Sequence, residues 1–299
     1  MKINWFPGHM KKALDLMNEE LKKVDVILYV LDSRAPKSCI NPSFNNLIST
    51  KPVLYIFNKF DLCEKSKVEK FASRFKGQMS DFIFLNSTQS GAKNAIIQKI
   101  NVLCKDKFGK FEKNGIKTVL RAMVIGVPNS GKSTLVNNLC QKAKAVTGNK
   151  AGVTKGKQWF RLAECIEICD TPGTLYPNLE NQETAKSLAF IGSIKEEILI
   201  ETELAEELIK RLKRLYPNEL DERYKGAVSL EEIAQKRGYF LGKGEVDLER
   251  TARAVIQDFK DGRLGKMTIE ELWKNWRKSL EPKGNCRQKT FFKKTSIKS

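Results

Sequence analysis

The sequence predicts an α/β fold, with a mainly parallel, doubly wound sheet first and a smaller all-helical domain after it. Five short apolar runs, at 26–31, 53–57, 82–85, 120–125 and 165–169, alternate with helix-like stretches. Beyond about Tyr176 the strand signals stop, and Leu204, Leu208, Leu212 and Leu215 recur at helical spacing. At 299 residues the chain is long enough to bury one large core and one smaller one. The expected division is 1–176, 177–282 and a basic tail at 283–299.

In chain order, Met10, Leu14, Met17 and Leu21 lie on one face of a helix, with Lys11, Lys12, Lys22 and Lys23 largely off it. Asp15, Glu19 and Glu20 argue against a mitochondrial transit peptide. The first strand runs into Asp32-Ser33-Arg34-Ala35-Pro36, and the second ends in Asn58-Lys59-Phe60-Asp61. A carboxylate at Asp61 suits the N1–H and exocyclic amine of guanine, and Asn58 suits the O6/N7 edge. Adenine lacks that donor pair, and leaving the carboxylate buried and unpaired would cost about 1–3 kcal/mol. The string falls at the carboxyl edge of its strand, where open α/β sheets bind ligands. Asn86-Ser87-Thr88 follows the third strand and is placed to buttress the base, although the usual signature there is Ser-Ala.

The fourth strand leads into Gly126-Val127-Pro128-Asn129-Ser130-Gly131-Lys132-Ser133, a full match to G-x-x-x-x-G-K-[ST]. Its glycines let successive N–H groups face phosphates, so Asn129, Ser130, Gly131, Lys132, Ser133 and Thr134 form the expected cradle, aided by the helix dipole beyond. Lys132 is expected to reach the β- and γ-phosphates, and Ser133 to ligate Mg²⁺. Thr154, in Gly152-Val153-Thr154-Lys155-Gly156, has the hydroxyl of a switch segment that closes over Mg²⁺ and γ-phosphate. Asp170-Thr171-Pro172-Gly173 ends the fifth strand, with Asp170 suited to hold Mg²⁺ through water and the Gly173 N–H suited to the γ-phosphate. Further on, Ser229-x-x-Glu232 and Thr268-x-x-Glu271 read as capping boxes opening two helices.

The order of these motifs is guanine reader, buttress, phosphate loop, switch threonine, Asp-x-x-Gly. It is that of a circularly permuted GTPase, since strands pair the same way wherever a chain is cut. Together with the opening Asn4-Trp5-Phe6-Pro7-Gly8-His9-Met10 and Asp32-Ser33-Arg34-Ala35-Pro36, the motifs resemble the YlqF-type family of ribosome biogenesis GTPases, bacterial proteins with a mitochondrial counterpart. The resemblance extends to about Pro282 and implies a permuted Ras-like P-loop domain followed by the helical one. It implies binding of GTP and GDP with Mg²⁺, hydrolysis of GTP, and late assembly of the large ribosomal subunit. Its cycle would be docking on the precursor in the GTP state and release on hydrolysis.

Thr174 and Leu175 occupy the place where a Ras-like enzyme carries its water-orienting glutamine. The resemblance shifts that duty to His9, the sole histidine, and makes Asn129 a ligand for K⁺ beside the β,γ-bridging oxygen. Thr174 itself departs from the family's apolar residue. Two alternatives stay open: a nucleotide-gated RNA-binding module with incidental hydrolysis, and a P-loop small-molecule kinase, which would not need Asn58 and Asp61.

Fifty-four Lys and Arg against thirty-five Asp and Glu give +19, a field that draws the chain to polyanions such as rRNA. From Pro282 onward, six basic residues and no acid surround Phe291-Phe292, rings suited to stacking on bases. Seven cysteines show no C-x-x-C pair and fit a reducing cytoplasm. No apolar run is long enough to span a bilayer, and the free protein is expected to be monomeric.

Overall fold

Six strands form one sheet in the order β3-β2-β1-β4-β6-β5. They are β1 (Val26–Asp32), β2 (Val53–Asn58), β3 (Ser80–Phe84), β4 (Leu120–Ile125), β5 (Gln158–Ala163) and β6 (Ile166–Asp170). The computed structural model describes residues 3, 14–15, 17–89, 91–107, 119–140, 158–175 and 181–272. All pairings are parallel except β5 with β6. Strand β5 is absent from the sequence expectation. It is an edge strand whose Arg161 is exposed and whose Phe160 is half-buried, so it shows no continuous apolar run.

Counted from β4 and wrapped through the chain start, the strands follow the 126–133 loop, the antiparallel edge pair, then the half that ends in Asn58-Lys59-Phe60-Asp61. That is the unpermuted order, so the cut moved the termini and left the sheet alone. The chain turns one way after β1 and the other way after β4, which are neighbours. Such a switch point opens a crevice at the carboxyl ends of the strands.

The alternation of side chains assigns each face its cover. Val26, Leu28, Val30, Leu54, Ile56, Ala122 and Val124 face α2 (Ala92–Leu103) and α3 (Lys132–Cys140) through Ile96, Ile100, Leu135, Val136 and Leu139. On the other face, Ile27, Tyr29, Leu31, Tyr55, Phe57, Met123 and Ile125 join Phe71 of α1 (Lys65–Ala72). That second cluster continues unbroken into the helical part of the chain, so the two parts share one apolar core.

The helical part contains α4 (Gln182–Phe190), α5 (Glu201–Leu215), α6 (Pro217–Tyr224), α7 (Leu230–Arg237) and α8 (Leu248–Lys260). Leu204, Leu208 and Leu212 are buried as their spacing predicts, with Leu215 partly buried at the end. Ser229 caps α7 by accepting from Glu232 N, while the Glu232 carboxylate accepts from Val228 N, one residue upstream of the expected capping-box bond. Thr268 opens no helix within the described residues. Its hydroxyl instead accepts from Glu64 N at 3.3 Å and donates to Ser33 O at 3.4 Å. Near the chain start, Met17 is buried and Leu14 packs against the same core, whereas Met10 lies outside the described residues. Ile3 exchanges two backbone bonds with the Gln182 side chain, at 2.8 and 3.2 Å. Among the described residues the six cysteines are unbridged, and no helix is long and apolar enough to cross a membrane.

Asp258 ties three of these helices together. Buried on α8, it accepts from Arg223 of α6 at 3.1 Å, from Arg237 of α7 at 2.5 Å and from Tyr224 at 3.2 Å. Burial alone would raise its pKa, but the two guanidinium groups outweigh burial and hold it below the usual carboxylate value. A carboxyl depressed on folding stabilises above its unfolded pKa, and that contribution is lost as pH falls through the folded value. Asp258→Ala should therefore cost about 3–5 kcal/mol in urea denaturation at pH 7. The gap from wild type should narrow below about pH 4.

Candidate nucleotide-binding site

The turn from β4 to α3 sets the geometry of the crevice. Gly131 has φ +97°, and a Cβ there would run into the Asn58 amide, so only glycine lets the loop pass this close to β2. Lys132 is buried, and its Nζ donates to Val127 O at 2.8 Å. Burial pushes its pKa down to about 8 against the pull of Asp170. Gly173, in the loop leaving β6, sits so near that a Cβ would stand 2.7 Å from Pro128 Cα and 2.8 Å from Lys132 Nζ.

Ser133 Oγ donates to Asp170 Oδ2 at 2.7 Å. The other oxygen, Oδ1, is buried with no hydrogen-bond partner among the described residues, and burial raises the carboxyl's pKa. A hydroxyl beside a carboxylate with an unsatisfied oxygen is a donor set that fits a hard divalent cation such as Mg²⁺. Thr134 follows on the first turn of α3, half-buried.

At the other end of the crevice, Asn58 departs from its expected use. Its amide bridges two loops, Nδ2 donating to Ser130 O at 2.7 Å and Oδ1 accepting from Ser87 N at 2.9 Å, and the residue is fully buried. It joins the phosphate loop to the buttress rather than standing open to a base edge. Asp61, the other residue expected to read the base, has Oδ1 buried and without a partner among the described residues. Lys59, in the left-handed region at φ 55°, reaches back to Asn129 O at 2.8 Å and to Asp32 Oδ2 at 2.9 Å. Asn86 spends its side-chain oxygen on Thr88, accepting from its N at 2.9 Å and its Oγ1 at 2.6 Å. It forms a local turn and does not aim at a base. Ser87 is buried and is steadied by Asn138 of α3, which donates to Ser87 O at 2.9 Å.

Asn129 also has a positive φ of 57°, and its Nδ2 donates to Gly192 O at 2.6 Å. The next residue, Ser193, donates to Pro128 O at 2.7 Å. The turn after α4 thus holds the outer side of the phosphate loop, and any cation at Asn129 would meet its amide oxygen only. Thr174 is fully buried, its N donating to Gly126 O at 3.3 Å, so it lines the floor of the loop, its Oγ1 without a partner among the described residues. His9 and Thr154 lie outside the described residues. Sequence reasoning missed Asn138, Gly192 and Ser193, which carry no motif. It noted Asp32 and Arg34 without giving either a task.

Comparison with known proteins places the chain among GTPases. A family model described as 50S ribosome-binding GTPase matches residues 121–225. The chain is 37% identical to the ribosome biogenesis GTPase A of Bacillus cereus, over 90% of this chain and 94% of that one. It is 30% identical to the mouse mitochondrial ribosome-associated GTPase 1, over 89% of each. Among solved structures, GNP-bound YlqF from T. maritima superimposes with a TM-score of 0.62 at 25% identity, covering 88% of this chain and 99% of that one. With a permuted motif order, one continuous sheet and relatives matched nearly end to end, the chain belongs to the ribosome biogenesis GTPase A family.

Proposed function

We propose that the protein binds GTP with Mg²⁺ in the crevice at the carboxyl edge of the sheet and hydrolyses it to GDP and phosphate. The cycle serves late assembly of the large ribosomal subunit, with docking on the precursor particle in the GTP state and release after hydrolysis. One observation carries the nucleotide part. Among the described residues, two buried carboxylate oxygens lack partners, Asp61 Oδ1 at the expected guanine end and Asp170 Oδ1 at the phosphate end. The Asn58 amide binds the intervening loops into one wall. Buried acceptors without partners are costly, and a ligand that supplies donors or a cation at both ends relieves that cost.

In this reading Asp61 accepts from the guanine N1–H and amine. The backbone N–H groups of Asn129 to Thr134 and the Lys132 ammonium hold the phosphates. Ser133, Asp170 and Thr154 hold Mg²⁺, which when bound neutralises charge on the β- and γ-oxygens. Gly173 N–H faces the γ-phosphate, and Ser87 backs the base. The burial of Thr174 leaves water orientation to another group, a role assigned here to His9. Asn129 supplies an oxygen to K⁺. The ribosomal part is supported by the names of the relatives and by the +19 charge, which suits an RNA-rich, cytoplasmic partner. The region 177–282 and the tail 283–299 are its contact surfaces, and the free protein is a monomer.

Asp61→Asn should shift preference from guanine to xanthine nucleotides in competition binding; unchanged GTP affinity would remove Asp61 from base reading. Lys132 ionises at about 8 in the free chain, below its ordinary value, and bound phosphates favour its charged form. Nucleotide binding should therefore take up a proton above about pH 8 and weaken as pH rises further. Calorimetry at pH 9 in buffers of different ionisation heat reads this directly. GTP turnover should rise when purified large subunits are added and should be faster in K⁺ than in Na⁺. Equal rates in the two salts would exclude the cation role of Asn129.

A further inference from the structure

Asp32 closes β1 and is fully buried. Arg34 grips both its oxygens, Nε to Oδ1 at 2.9 Å and Nη2 to Oδ2 at 2.7 Å, and Lys59 Nζ shares Oδ2 at 2.9 Å. Lys59 also donates to Asn129 O, inside the phosphate loop. The remaining nitrogen of Arg34, Nη1, points the other way. It donates to Lys260 O at 2.9 Å and to Phe259 O at 3.5 Å at the carboxyl end of α8, and the guanidinium lies 5.4 Å from the centre of the Phe259 ring. One fully buried side chain therefore touches the helical region on one side. On the other, through a single carboxylate, it touches the lysine that supports the phosphate loop.

The placement is chemically specific. The last carbonyls of a helix lack intrahelical donors and favour a cation. A planar guanidinium can hold a carboxylate with two parallel bonds and still donate elsewhere, which an ammonium cannot do in fixed directions. With Oδ1 accepting also from Arg34 N at 3.0 Å, the remaining acceptor direction, on Oδ2, is the one Lys59 takes, and along it Lys59 also reaches Asn129 O. The same seam continues around the guanine reader: Ile269 N donates to Arg34 O at 2.9 Å, and Met267 N donates to Leu62 O at 3.1 Å, next to Asp61.

We propose that Arg34 is a positioning residue for guanine-nucleotide binding, fixing Lys59 beneath the phosphate loop from the carboxyl end of α8. The inference rests on the nucleotide reading given above. It makes the helical region and the nucleotide site partners in one equilibrium: ordering either favours the other, by the same factor in both directions.

The test uses the full chain with Mg²⁺, comparing wild type, Arg34→Lys, Arg34→Met and Arg223→Met. The readouts are the Kd of fluorescent GDP, the KM and kcat for GTP, melting temperature, and amide exchange across 258–262. Arg34→Lys keeps a charge beside Asp32 but gives up the fork. It should raise the GDP Kd and the GTP KM about tenfold, the equivalent of one charge-assisted bond, while kcat stays within about twofold. GDP should slow exchange at 258–262 in wild type and not in Arg34→Lys. Arg34→Met should weaken binding further. Arg223→Met, which thins the Asp258 cluster, should lower the melting temperature and leave Kd alone. Wild-type Kd and KM in Arg34→Lys would overturn the inference. So would a Kd that rises in both Arg34→Lys and Arg223→Met in step with lost melting temperature. A wild type that binds no GDP would overturn the nucleotide reading itself, and this inference with it.

Discussion

A carboxylate taken wholly out of water costs several kcal/mol unless it is paired, and Asp32 is that carboxylate at the centre of this molecule. Arg34 and Lys59 neutralise it, and between them they outweigh the effect of burial and hold its pKa far below the usual range. Each cation then has a second obligation, Lys59 to the phosphate loop and Arg34 to the end of α8. The ends of β1 and β2, the phosphate loop and the last helix described are thereby held in one arrangement. Apolar packing alone would not do this, because it fixes distance far better than direction.

The continuous apolar cluster explains why such a link is possible. A second domain with its own separate core could rock against the sheet, and a fully buried ion pair at the seam would be exposed to water at each excursion. Here the helices complete the cover of one sheet face, so the seam stays dry. Charge and packing are complementary in this arrangement: the core excludes water, and the buried pairs set the register of what surrounds it.

Much of this was legible in the sequence. The parallel strands declared themselves as apolar runs, β1 and β2 buried throughout and β3 only partly so, and the phosphate loop, Asp61 and Asp170 stood at strand ends as their chemistry requires. What could not be read was of two kinds. Strand β5 lies at an edge with mixed polarity, so hydrophobic pattern carries little information there. The other kind is partnership at long range. Nothing local to Asn58 says that its amide will be used up by Ser130 and Ser87, and nothing local to Arg34 points to Lys260, 226 positions away. Thr268 shows the converse, a capping pattern overridden because its hydroxyl is used by Glu64 and Ser33.

The pairing of β4 with β1 has a consequence for how the molecule is made. Val26 sits opposite Ala122, so the central pair of strands joins segments nearly a hundred residues apart, and the ladder to β6 comes later still. Non-local pairing of this kind slows folding, and chains fold from the amino end as they are synthesised. The half that carries Asn58 and Asp61 therefore emerges first, as a three-stranded fragment whose β1 edge is still uncovered. That edge waits for β4 and cannot yet bring a phosphate loop to Asn58. Only when synthesis has passed Ile269, which donates to Arg34 O, are Arg34, Lys59 and the loop all in place. The crevice as it stands here thus takes shape only after both the sheet and the helical region have been synthesised.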